Sequence, residues 1–162
     1  MSNYKEKICC FTGHRPEKLT YSEIEVKRKL EQAIDAAIRD GYRTFIVGMC
    51  RGVDLLAGEI VVRKKSENPG LRLVAAIPHP EFEKRWRKAD QILYHYVLDN
   101  ADTVRMINAE YSRACYQRRN ERMCDRASRL ISAYAGLPGG TRNTVNYAKS
   151  NGLDIINIFS SR

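Results

Sequence analysis

Three short stretches of this chain set glycines beside arginine, threonine or a carboxylate. Proteins use that pattern to receive an anionic oxygen on backbone amides and to pin it with charge. The last of them, "LPGGTRNTVNYA" at Leu137–Ala148, follows the apolar run "LISAYAG" and opens onto a helical pattern. Here Pro138, Gly139 and Gly140 leave the amides at a helix start accessible, while Thr141 and Thr144 add hydroxyls. The first, "TGHRPEK" at Thr12–Lys18, places Thr12, Gly13, His14 and Arg15 directly after an apolar strand. The glycine lets that loop close on a ligand, and Arg15 can fork onto a phosphate or a carboxylate. The second, "GMCRGVD" at Gly48–Asp54, is a G-x-x-x-G-x-D turn into a helix, in which Gly48 and Gly52 permit close backbone approach. It has neither the Gly-Lys-Ser/Thr of a P-loop nor the dinucleotide G-x-G-x-x-G. Asp54 there either binds a ribose hydroxyl or caps the helix, and Glu59 on the same helix is a further candidate acid.

Between Tyr111 and Arg129 six arginines face only Glu121 and Asp125, a concentration of charge that suits a compact anionic ligand as well as a duplex. Helical spacing puts Tyr116, Asn120, Met123 and Ala127 on one face, with Cys115, Arg119, Arg122 and Arg126 beside it. Arg119 and Asn120, one helix and one strand ahead of the glycine-rich turn, are the pair assigned to the site. Other chemistries find little support. His14, His79 and His95 lack metal-ligand spacing, and neither a Ser/His/Asp order nor a nucleophile elbow occurs. Five cysteines without a CxxC pair fit reduced thiols in a cytosolic protein, with Cys9 and Cys10 as small strand residues on opposite faces.

The elements that must position these residues alternate in period. Strand-length runs "KICCFT", "TFIVG", "LRLVAAI", "TVRMI", "LISAY" and "DIINIF" are interleaved with helical segments at 22–40, 53–65, 81–99, 112–127 and 141–150. This alternation predicts an α/β, three-layer Rossmann-like domain: a mostly parallel sheet of about six strands flanked by helices. The first helix carries Val26, Leu30, Ala33, Ile34, Ala37 and Ile38 on one stripe behind Ser22 as N-cap, and Gly41 stops it. The segment 81–99 carries Phe82, Trp86, Ala89, Leu93, Tyr96 and Val97 at the same period. Ligands of such sheets lie beyond the carboxyl ends of the strands, where the three glycine-bearing stretches and "IPHPEFEKRW" fall. With 162 residues, 43% hydrophobic and 29% charged, a single domain over 1–162 is expected. No apolar run reaches the ~20 residues of a membrane helix, and the start "MSNYKEKICC" does not read as a secretory signal.

Taken in order, "FTGHRPEKL", "GMCRGVDLLAGE", "RNERMCD" and "PGGTRNTVNYA" resemble the SLOG superfamily, within it the YpsA-like branch. The resemblance runs across nearly the whole chain. It implies a Rossmann-like fold, a homodimer, and a ligand of nucleotide type. The superfamily includes LOG, the cytokinin-activating phosphoribohydrolases, and DprA, a single-stranded DNA binder. LOG enzymes carry an arginine in M-x-x-R-K-x-x-M and a glutamate closing P-G-G-x-G-T-x-x-E. In "YQRRNERM" Arg119 and Met123 match the helix, but Asn120 replaces the lysine, and the glutamate position holds Asn146 or, with one extra residue allowed, Tyr147. Cleavage of an N-glycosidic bond needs a carboxylate, so the resemblance implies binding without LOG chemistry unless Glu59, Glu17 or Asp54 supplies the acid.

The expectation is therefore a cytoplasmic, sensor-type domain that holds NAD, ADP-ribose or an AMP-like nucleotide, with no further cofactor, no metal and no membrane. Two rivals accompany it. One is a nucleotide N-glycosidic hydrolase with a relocated acid, Glu59 and Arg119 being the catalytic candidates. The other is a DprA-like nucleic-acid binder; it fits the net charge of +9 but is less favoured, because no cluster of loop aromatics for base stacking is evident.

Overall fold

The computed structural model describes residues 8–160. Lys7, at the start of the first expected strand, and the N-terminal segment before it lie outside them. Strands β1 (Ile8–Gly13), β2 (Thr44–Val47), β3 (Arg72–Ile77), β4 (Thr103–Met106), β5 (Arg129–Ala133) and β6 (Asp154–Asn157) alternate with helices α1 (Glu23–Arg39), α2 (Val53–Glu67), α3 (Lys88–Asp99), α4 (Cys115–Asp125) and α5 (Gly140–Ser150). The strands form one sheet in the order β4-β3-β2-β1-β5-β6, and every pairing is parallel. The chain builds outward from β1 to β4 and then crosses back to place β5 on the other side of β1. In such a sheet the loops on either side of that reversal diverge and leave a crevice.

Each face of the sheet has its own core. Phe11, Phe45 and Ile131 pack with Leu30 and Ile34 of α1, Leu55 of α2 and Val97 of α3, whereas Cys10 and Leu130 pack with Met123 of α4 and Val145 of α5. Cys9 and Cys10 indeed belong to opposite cores, and all five cysteines are free thiols. α1 follows its sequence pattern: Ser22 Oγ accepts a hydrogen bond from the Glu25 amide at 3.2 Å, and Val26, Leu30, Ile34 and Ala37 are buried. α4 and α5 cover the second face only in part. An apolar groove of about 450 Å³, lined by Ile46, Val74, Ala76 and Ile107 among others, runs over β2–β4 beside α4.

Two helices begin later than the sequence predicts. α3 starts at Lys88 and not at Glu81, because Glu81 sits in the left-handed region (φ 63°) and Arg87 is extended (ψ 151°). Phe82 and Trp86 are spaced like a helical stripe, yet they pack edge-on around Tyr94 from a loop, with centroids 5.6 and 5.8 Å away. Within α3 itself Tyr94 and Val97 are buried, while Ala89 and Tyr96 face solvent. α4 starts at Cys115 and not at Ser112; the Asn108 side-chain amide donates to the carbonyls of Pro78 and Cys115 at 2.7 and 3.1 Å, tying the loops after β3 and β4 together. No helix among the described residues is long and apolar enough to cross a membrane.

Candidate functional site

A cavity of about 400 Å³ lies at the carboxyl end of the sheet where the strand order reverses. Three loops and one helix meet there. The loop after β1 supplies Thr12, Gly13, His14, Arg15 and Lys18; the loop after β2 supplies Cys50, Arg51 and Asp54; α4 supplies Tyr116, Arg119 and Asn120; the start of α5 supplies Gly140 and Thr141. Nine of these are site candidates in the sequence. Lys18, Cys50, Arg51 and Tyr116 are not, although the first three stand inside the quoted motifs and Tyr116 shares a helix face with Asn120.

The loop after β2 is held in an uncommon shape. Met49 is fully buried with φ 67°, a conformation that costs a non-glycine residue energy and persists only where its surroundings enforce it. Arg119 provides much of that enforcement. Its side chain is 2% exposed, and its guanidinium donates from Nη1 to the Gly48 carbonyl, from Nη2 to Cys50 Sγ at 3.3 Å and from Nε to Asn120 Oδ1 at 2.7 Å. Gly48 makes the approach possible: a Cβ there would stand 2.8 Å from both Arg119 Cζ and Asp54 Oδ2. Asp54 closes the loop from the other side, its Oδ2 accepting from the Cys50 amide at 3.3 Å. Burial raises the Asp54 pKa above the usual carboxylate value, and the Arg119 charge and the Cys50 amide pull it partly back.

Two polar atoms on cavity-lining side chains, Asp54 Oδ1 and His14 Nε2, are buried without a hydrogen-bond partner among the described residues. An unpaired buried polar group costs about 1–3 kcal/mol, so each is a point at which a ligand group gains. His14 is 4% exposed and lies 5.4 Å from the Tyr134 ring; burial, with Lys18 close by, lowers its pKa, so it stays neutral near pH 7. The α5 end is open in the way its glycines suggest. Gly139 caps the helix at φ 136°, no side chain caps the first turn, and the Lys18 ammonium lies 3.7 Å from where a Cβ on Gly139 would be.

Other residues fall elsewhere. Gly48 touches Arg119 and Asp54 without lining the cavity, and Gly52 packs against Pro16, a Cβ there meeting the proline ring at 2.8 Å. The Thr144 hydroxyl donates to the Gly140 carbonyl at 2.8 Å within its own helix. Pro138 and Gly139 shape the turn without lining the cavity. Glu59 faces Lys27 on α1 at 3.3 Å and lines a different groove, and Glu17 is engaged by Arg51 at 3.2 Å, which leaves Asp54 as the carboxylate in the cavity. Asn146 is exposed, and the Tyr147 hydroxyl donates to Asp125 at 2.6 Å, so the two positions compared with the LOG glutamate are not part of the cavity either. Of the six clustered arginines, only Arg119 reaches the cavity; Arg129 pairs with Asp40 and Asp154, each at 2.9 Å. Among the described residues Arg15 and Lys18, both exposed, bring cationic charge to the rim that no carboxylate pairs.

The model of the YpsA family, described as the YspA SLOG family, matches residues 9–153. The chain belongs to that family. Among its relatives, a UPF0398 protein of Halalkalibacterium halodurans is 29% identical over 92% of this chain and 78% of its own. The SPbeta prophage-derived protein YoqJ of Bacillus subtilis strain 168 is 30% identical over 78% of this chain and 81% of its own. Among solved structures, DNA processing protein A (DprA) from Streptococcus pneumoniae superimposes with a TM-score of 0.64 at 17% identity. That match covers 92% of this chain and 50% of the DprA chain, and it supports the fold, an open parallel Rossmann-like sheet.

Proposed function

We propose that this SLOG domain binds a nucleotide derivative, such as ADP-ribose, NAD or AMP, by its phosphorylated ribose in the cavity at the β1/β5 reversal. The observation that carries the reading is the pair of unpartnered buried atoms, Asp54 Oδ1 and His14 Nε2, on side chains lining a cavity that also holds the uncapped start of α5 and the cations Arg15 and Lys18. Phosphate oxygens suit the amides of Gly140 and Thr141 and the two cations, and a ribose hydroxyl suits Asp54 as acceptor. The test is a calorimetric titration of ADP-ribose and AMP into the wild type and Arg15→Ala. A charge-assisted hydrogen bond is worth about 1.5–3 kcal/mol, so the variant should bind about tenfold or more weakly. Absence of saturable binding, or an unchanged affinity in Arg15→Ala, refutes the reading.

A second reading rests on Asp54 itself. A carboxyl in the cavity whose pKa burial has raised is suited to act as the acid in N-glycosidic hydrolysis, with water as the other reactant. Chromatographic detection of free base released from NAD or AMP, lost in Asp54→Asn, supports hydrolysis. Binding without release leaves the domain a receptor.

A further inference from the structure

The site continues past the cavity along the strand ends. The loops after β3 and β4 bring His79, Phe82 and Tyr111 together, and Tyr116 of α4 completes the group; the His79 ring lies 5.8, 5.4 and 5.7 Å from the other three, each edge-on. These residues line a cleft of about 770 Å³, and Tyr116 lines both this cleft and the cavity at the β1/β5 reversal. The aromatic cluster that was not evident in the sequence is thus assembled from three separate segments. His79 is fixed in one orientation. Its Nδ1 donates to the Pro80 carbonyl at 2.8 Å, which leaves Nε2 to accept from the Tyr116 hydroxyl at 3.3 Å. Tyr111, by contrast, is 64% exposed and lines the cleft, which leaves its ring accessible to a planar ligand.

We propose that this cleft is the heterocycle subsite of the same ligand, with the Tyr111 ring as its stacking platform. The proposal rests on the reading of the neighbouring cavity as a phosphate and ribose site. Strand order sets the polarity: phosphate beside β1 and β5, ribose at Asp54 after β2, and the base beyond Tyr116 between the loops after β3 and β4. A track that crosses the ends of several strands suits a ligand in which phosphate, ribose and base follow one another in that order, as they do in the adenosine half of ADP-ribose or NAD. Stacking tolerates different bases because each presents a π-face.

The experiment compares ADP-ribose with ribose 5-phosphate, which lacks the heterocycle, by calorimetry on the wild type, Tyr111→Ala and Arg15→Ala. Because Tyr111 is exposed, its replacement should leave the melting temperature unchanged, and this is checked first. Loss of base stacking should weaken ADP-ribose by about tenfold or more and leave ribose 5-phosphate unchanged. Arg15→Ala should weaken both. If the wild type binds both probes and Tyr111→Ala binds ADP-ribose as tightly, or weakens both probes equally, the subsite is overturned while the cavity reading stands. If neither probe binds the wild type, the cavity reading falls and takes the subsite with it.

Discussion

Replacing Arg119 with methionine tests whether a buried cation holds the loop after β2. The substitution keeps much of the side-chain length but removes every donor. The Gly48 carbonyl then loses its charged partner, Cys50 Sγ and Asn120 Oδ1 lose theirs, and the raised carboxyl of Asp54 loses the charge that favours its ionised form. A hydrogen bond from a charged group contributes about 1.5–3 kcal/mol, and the smaller losses bring the total to about 2–4 kcal/mol. At about 3 °C per kcal/mol for a chain of this size, the melting temperature should fall by about 6–12 °C in scanning calorimetry. Gly48→Ala should act through the same contact, since its Cβ would stand 2.8 Å from Arg119 Cζ and displace the guanidinium. The two losses must then overlap, so the double variant should lose clearly less than the sum of the single ones. A melting temperature within about 2 °C of wild type for Arg119→Met, or strict additivity in the cycle, refutes the role given to Arg119.

Two further outcomes are expected. Glu59→Gln should leave ADP-ribose affinity unchanged, because Glu59 faces Lys27 away from the cavity; a tenfold loss would show that the cavity has been drawn in the wrong place. His14 should make the free protein acid-sensitive. Its folded pKa is lowered by burial and by Lys18 from the ordinary 6.5, so as pH falls below that value the unfolded chain takes up the proton first and stability is lost until pH passes the folded pKa. Melting curves of wild type and His14→Asn between pH 7.5 and about 5 should therefore show the wild type losing ground to the variant on acidification, and a constant difference or the opposite trend contradicts the assignment.

The alternation of periods in the sequence was enough to lay out six strands and five helices, since parallel strands buried on both faces read as continuous apolar runs and the helices between them as stripes. It failed where a loop imitated a stripe: Phe82 and Trp86 have helical spacing, but the backbone at Glu81 and Arg87 breaks the helix and the rings reach Tyr94 from a turn. In the site, the glycine-bearing motifs after β1, β2 and β5 were legible because glycine beside charge at a strand end has a local meaning. The rotation of a side chain about its helix was legible only in part: Arg119, assigned to the site, turns inward between the buried Cys115 and Met123, each four residues away, whereas Glu59, also a candidate, turns outward to a lysine far off in sequence. The aromatic cleft was illegible for a different reason, because its rings come from segments that only the register of β3 with β4 and the Asn108 amide bring together.

The most direct test of nucleotide binding is thermal stabilisation of the wild type and Arg15→Ala by NAD, ADP-ribose, AMP and a short single-stranded DNA. A ligand at ~100 times its dissociation constant adds about 2.7 kcal/mol, which for this chain is a rise of about 5–10 °C. The expected result is that rise for at least one nucleotide with the wild type and a clearly smaller one with Arg15→Ala at the same concentration. Stabilisation by the single-stranded DNA alone, or by nothing in the series, contradicts it.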